Sequence, residues 1–267
     1  MTCCCLLCFD HYQSAAPPEI GSTLIDSHSI RDFKISGDTM QLVEVNIPPQ
    51  HTMVGEPGAF SYFRSGIKME SHFGDGAYVS EPGCMAKCGQ SCSRSCSGES
   101  GSIAHFTNEA NEPRAIGFAA DYPGQVMTID LKEMTDNMIF AMNGSFLFGP
   151  KGTRIQAVIT DCRGCCCGNF CYQKVDGNGL VFLHAGGTII REDIREGETH
   201  RVDEKSLVAF TKGLKVDVTK AGGLKTMCCG GEGFALTTIS GEGTYWLSSS
   251  PWGSQIQHLL AYLPPRK

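Results

Sequence analysis

No stretch of this chain approaches about 18 consecutive apolar residues, so it offers no candidate for a membrane-spanning helix. Basic residues are also scarce: 22 Lys and Arg stand against 28 Asp and Glu, for a formal net charge of −6. No Lys/Arg stripe gathers them, which excludes binding to nucleic acid by phosphate neutralisation. A phosphate-cradling Walker loop, a G-x-S-x-G elbow and an H-x-H pair are all missing. The eight histidines, including His105, His184 and His200, never take the spacing that a metal site on a β-scaffold needs. No basic n-region and apolar h-region opens the sequence, and no arginine precedes Arg31. The expectation is a reducing, cytoplasmic setting in which thiols stay free.

What the sequence has in quantity is glycine (32) and cysteine (15). Glycine suits many tight turns better than long helices. Short apolar runs rich in Val, Ile, Thr, Phe and Trp lie between those turns. VFLHA, GTII, LVAF, KVDV, FALTTI and TYWL follow one another between residues 181 and 247, and weaker copies precede them. That pattern predicts short antiparallel strands, hence an all-β fold. With 267 residues and 41% hydrophobic content, the chain can bury a core of one large β-domain.

Three subsegments align. Gly37 leads through QLVEVNI to Ala59-Phe60-Ser61, Gly124 through QVMTIDL to Ser145-Phe146-Leu147, and Gly187 through TIIREDI to Ser206-Leu207-Val208. The first interval exceeds the second by 24 positions (87 against 63), close to the length of a Gly/Ser/Cys-rich segment at 74–102. Three copies of one β-unit, with an insertion after the first, account for this, and such units are expected to stack into a pseudo-threefold barrel or prism. The predicted organisation is an irregular leader at 1–28 and a single β-domain at 29–250. Cys-rich insertions fall near 84–102 and 162–178, and a helical tail occupies 251–267. In that tail Ile256, Leu259, Leu260 and Leu263 form one helical stripe before Pro264-Pro265.

The cysteines are clustered. Cys84, Cys88, Cys92 and Cys96 recur every fourth residue, the spacing of a stripe on a short helix. Cys162, Cys165 and Cys171 belong to CRGCCCGNFC, which contains a C-x-x-C able to grip one tetrahedral zinc, with Cys228-Cys229 as a source of further ligands. Clustered cysteines beside apolar residues also fit S-acylation. In CCCLLCF the candidates are Cys3, Cys4, Cys5 and Cys8. Two acylated patches anchor firmly where one chain is marginal. His184, between Leu183 and Ala185, reads as a half-buried strand residue, and GGEG at 230–233 and GEG at 241–243 read as hairpin turns.

The pieces GLVFLHAGGTI, REGETHRVDEKSLVAF and GGLKTMCCGGEGFALTTISGEGTYWL resemble the altered-inheritance-of-mitochondria protein 24 family. SGES at 97–100, IAHFTN, PGQVMTIDL and the SFLF run resemble it in the same order, over roughly residues 30–250. The resemblance implies a tryptophan-attenuation-protein-like fold, a double-stranded β-helix with three related β-units. It implies no catalytic residue and a link to mitochondrial membrane organisation. The expected protein is therefore a non-catalytic, self-associating scaffold, membrane-associated through acylated cysteines, with a thiol- or zinc-binding protein as the alternative. No other cofactor and no nucleic-acid partner are expected, and a mitochondrial location is the family's alternative to a cytoplasmic one.

Overall fold

The structure, a computed structural model, describes residues 32–73, 100–159, 171–220 and 235–261. Nearly every regular element in it is a strand. After β1 (Phe33–Ser36), the strands fall into three sets of six. The first unit holds β2 (Leu42–Ile47), β3 (Thr52–Gly55), β4 (Phe60–Phe63), β5 (Ile67–Phe73), β6 (Ser102–Asn108) and β7 (Arg114–Ala119). The second holds β8 (Gly124–Asp130), β9 (Met138–Met142), β10 (Phe146–Pro150), β11 (Arg154–Ile159), β12 (Cys171–Asp176) and β13 (Leu180–Gly186). The third holds β14 (Ile189–Ile194), β15 (Thr199–Asp203), β16 (Leu207–Phe210), β17 (Leu214–Lys220), β18 (Ala235–Gly241) and β19 (Gly243–Ser248). A helix, α1 (Trp252–Ala261), follows.

Every unit pairs its strands alike, always antiparallel. The sixth strand lies between the first and the third. The fifth lies between the second and the fourth. Each unit is thus two three-stranded half-sheets. The same irregularity recurs where the third strand meets the sixth, between Phe60 and Tyr62, Phe146 and Phe148, and Leu207 and Ala209. A bulge kept at one position in all three copies is a designed bend of the strand. The turn before each fourth strand is kept as well: Gly66, Gly152 and Gly213 all have positive φ (95°, 94° and 111°), a conformation closed to most side chains.

Adjacent units share sheets. β3 pairs with β10 and β9 pairs with β16, so the half-sheets merge into two six-stranded sheets, β5-β6-β3-β10-β13-β8 and β11-β12-β9-β16-β19-β14. The remaining half-sheets stand at the two ends, β1-β2-β7-β4 and β15-β18-β17. In chain order these make four sheets, and one hydrophobic cluster fills each space between neighbours. Val43, Val45, Ile116 and Phe118 of the first sheet meet Met53, Phe106, Phe148 and Phe182 of the second. Val54, Phe146, Val181 and Leu183, on the second sheet's other face, meet Ile139, Ile155, Val175 and Ala209 of the third. Phe210 and Tyr245 of the third then meet Val202, Leu214 and Ile239 of the fourth.

The sequence pattern follows from this layering. β2, covered on one face, alternates as LVEVNI with Val43, Val45 and Ile47 buried, the period-two signature of a half-buried strand. β13 is covered on both faces, and six of its seven residues, VFLHAG, are buried in one run. Rings tie the first unit to the second. Phe118, Phe148 and Phe182 form a stacked column with centroids 4.0 and 4.1 Å apart, and Phe106 and Phe33 close its two ends edge-on at 5.4 and 5.1 Å.

The all-β expectation holds, and so does the alignment of Phe60, Phe146 and Leu207, which begin the third strand of their units. The glycine alignment needs correcting in its first copy. Parallel bridges join Met40 to Gly124 and Gly124 to Gly187, so Met40, not Gly37, is the counterpart, and the intervals are 84 and 63. Gly37 (φ 94°) serves the turn between β1 and β2 instead, a turn with no equivalent elsewhere because β1 is an extra strand. The side chain beside each bridge staples the next unit. The Gln41 Oε1 accepts from the Val126 amide (2.7 Å) and the Gln125 Oε1 from the Ile189 amide (3.1 Å). A closed barrel or prism is also not what the described strands make, since the first and fourth sheets are not joined. The second insertion ends before β12, hence before the expected residue 178. α1 confirms the helical tail and carries Ile256; Leu263 lies outside the described residues.

Candidate functional site

Of the expected site residues only Cys171 lies in the described part of the chain. Cys3, Cys4, Cys5 and Cys8 lie outside the described residues, as do Cys84, Cys88, Cys92, Cys96, Cys162, Cys165 and Cys228-Cys229. Cys171 is the first residue of β12, its backbone opposite Ile159. The described strands do fix where the clusters enter and leave. The Cys84–Cys96 series, the CRGCCCGNFC run and Cys228-Cys229 each belong to the connection between the fourth and fifth strands of their unit. The necks of these connections are paired, Phe73 with Ser102, Ile159 with Cys171 and Lys220 with Ala235. The insertion expected after the first unit therefore lies within it, between β5 and β6, and is one of three connections at the same topological position.

A second feature was not visible in the sequence. Where the second and third units begin and end, a cavity of about 410 Å³ opens between them. Its walls are the turn Met142–Ser145, the turn carrying Glu204 and Lys205, the end of β13 at Ala185 and Gly186, Ser248, and the start of α1. The Asp203 carboxylate caps the Glu204 turn by accepting from the Lys205 amide (3.2 Å). Trp252, the first residue of α1, stacks on Tyr122 with centroids 5.3 Å apart and planes 7° from parallel. Tyr122 in turn meets His184 edge-on at 4.6 Å. Ser248 donates to the Gly186 carbonyl (2.6 Å), which holds the rim of the third unit to that of the second.

The electrostatics of this end are those of burial. His184 is 2% exposed, deeper than the half-buried position expected for it, and burial lowers its imidazole from the ordinary value to about 4. Glu204 is raised, first by burial and then by the neighbouring Asp203 carboxylate. Among the described residues the other buried histidine, His105 on β6, is also lowered to about 4, by burial and by His72, whose ring lies 4.4 Å away. Among the described residues no group of three or more His, Cys, Asp and Glu is placed to hold a metal ion. His200 sits on β15 and shares a 2.7 Å hydrogen bond between its Nδ1 and the Tyr245 hydroxyl. Gly241 and Gly243 form the turn from β18 to β19, as the GEG sequence suggested, while GGEG at 230–233 lies outside the described residues. The cavity has a stacked aromatic wall and a few polar groups. Its residues Tyr122, Glu204 and Trp252 escaped the sequence reading. The available signal was Trp252, one of only two tryptophans, directly after a proline.

Repeated six-stranded units that share sheets, with variable connections at one topological position, define a repeat-built β-protein. The chain belongs to the family described as mitochondrial biogenesis AIM24, whose model matches residues 33–250. A crystal structure of a Streptococcus pyogenes protein shares the fold. Its TM-score is 0.67 at 20% sequence identity, over 87% of this chain and 99% of that one. No curated protein matches the sequence. No helix among the described residues is long and apolar enough to cross a membrane, which leaves strand-built spans unaddressed.

Proposed function

We propose that this protein is a non-catalytic scaffold that presents cysteine clusters for S-acylation and so attaches to a membrane surface. The observation that supports this is the placement of the cysteines. Apart from the amino-terminal group, the clusters fall in sequence between the fourth and fifth strands of each unit, with Cys171 at the start of the fifth strand of the second. One acyl chain gives marginal membrane binding, whereas two or more hold firmly, so several clusters on one body suit anchoring. A link to membrane organisation agrees with the mitochondrial biogenesis family. The location proposed is a cytoplasmic membrane face, with a mitochondrial one as the family's alternative. Hydroxylamine-sensitive acyl exchange on the protein from its native cells tests the reading. Labelled cysteines are expected, and replacing Cys3, Cys4, Cys5 and Cys8 by serine is expected to move protein from the membrane to the soluble fraction. Absence of any labelled cysteine would overturn it.

A second reading, thiol or zinc binding, draws on Cys171. It starts β12 directly opposite Ile159, so Cys162, Cys165 and Cys171 share one short connection closed by a strand pair. Stoichiometric zinc in the purified protein, lost together with folding on chelation, would favour this reading over the first.

A further inference from the structure

Two departures from the repeat meet at the cavity between the second and third units. The link from β7 to β8 runs through residues 120–123, whereas β13 reaches β14 through residues 187 and 188 alone. The longer link carries Tyr122. After β19 the chain enters α1 in place of a further first strand, and α1 starts with Trp252. The two rings stack on each other, yet neither belongs to one of the three hydrophobic clusters. Together with Met142, Leu207 and Val208 they line about 410 Å³ of open space. Two polar groups on the same walls, Ser145 and Glu204, are left without a donor. Ser145 is only 6% exposed and its backbone is bonded to Met142 and His184, but among the described residues its hydroxyl has no hydrogen bond. The half-buried Glu204 carboxylate accepts none there either, while the neighbouring Lys205 is exposed. A buried hydroxyl and a partly desolvated carboxylate each cost free energy until a partner reaches them. Burial and then the Asp203 carboxylate raise the Glu204 carboxyl, the direction taken where negative charge lacks compensation.

We propose that this cavity is a binding site for a small primary amine with an apolar body about the size of one ring. The ammonium carries three donors, enough to serve the Glu204 carboxylate and the Ser145 hydroxyl together. The body packs against the Trp252 ring, Met142 and Leu207. A cation held near an aromatic face gains further attraction from it. The volume lies within the range of small-molecule sites, about 300–1,000 Å³. The charge on the walls chooses the sign of the ligand. A carboxylate would gain from the first-turn amides of α1, but it would set like charge beside Glu204 and leave that group without a donor. A neutral body would satisfy the apolar wall and leave the carboxylate uncompensated.

The test uses the full chain purified without acylation, so that its failure and that of the anchoring reading are separate events. Isothermal titration calorimetry compares 2-phenylethylamine with 2-phenylethanol and 3-phenylpropionate, which keep the ring and change the charge. The amine should bind once per chain, at least about tenfold more tightly than either analogue. Glu204→Gln, which keeps the shape and removes the charge, should weaken the amine by about ten- to a hundredfold while leaving the urea midpoint unchanged. Ser145→Ala should weaken it by about two- to tenfold. An amine that fails to bind at millimolar concentration, an alcohol or carboxylate that binds as tightly, or a folded Glu204→Gln variant with wild-type affinity would each overturn the proposal.

Discussion

The second sheet and the first sheet are built from related strands but live in different surroundings. In the second, β10 and β13 have apolar neighbours on both faces, and Phe148 and Phe182 have no exposed surface. In the first, the counterpart of Phe148 is Tyr62, half-buried, its hydroxyl bonded across the sheet to the Glu44 carboxylate. A residue's position in the unit sets its partners, while the unit's position in the stack sets how much each partner matters. Terminal repeats of stacked proteins differ from internal ones in the same way.

Substitutions can break this contrast. Phe148→Ala, which removes the middle ring of the column, is expected to lower stability by about 3–5 kcal/mol in a urea titration, because the gap is walled by rings on both sides. Gly124→Ala comes next, at about 1–3 kcal/mol, since its Cβ would collide with the Ala185 carbonyl at the point where the three units are bridged. The pH dependence sharpens the contrast from the interior side. His105 and His184 are lowered in the folded protein to about 4, so the unfolded chain binds more protons below its own histidine value of about 6.5. Stability is full above that value and falls as pH drops from about 6.5 towards 4. His184→Phe should flatten part of that slope in denaturation midpoints measured between pH 7 and 5. At the small end, cutting the exposed Lys212–Asp136 pair with Asp136→Ala should change stability by no more than about 1 kcal/mol.

Much of the fold was legible because strands declare themselves by composition and turns by glycine. The third-strand alignment succeeded because Phe60, Phe146 and Leu207 answer to the same packing need in each unit. The glycine alignment slipped by three residues because Gly37 and Gly124 look alike as letters but serve different needs, one a positive-φ turn and the other a close backbone approach. Layering was illegible: whether a face of β13 meets water or another sheet depends on units far away in sequence. For the same reason His184 looked half-exposed, since its only local cue was a polar atom. The cavity escaped for a related cause. Its wall is assembled from Tyr122, Glu204 and Trp252, which three separate turns bring together.

The paired necks at Phe73–Ser102, Ile159–Cys171 and Lys220–Ala235 turn three places in the chain into equivalent ports for added sequence. The ladder below each neck is closed before the connection begins, so lengthening it raises the closure entropy only logarithmically. A domain or peptide tag spliced into any one of them would ride on the body at a defined position. Evolution has the same freedom there, which gives one sheet architecture three independently adjustable attachments.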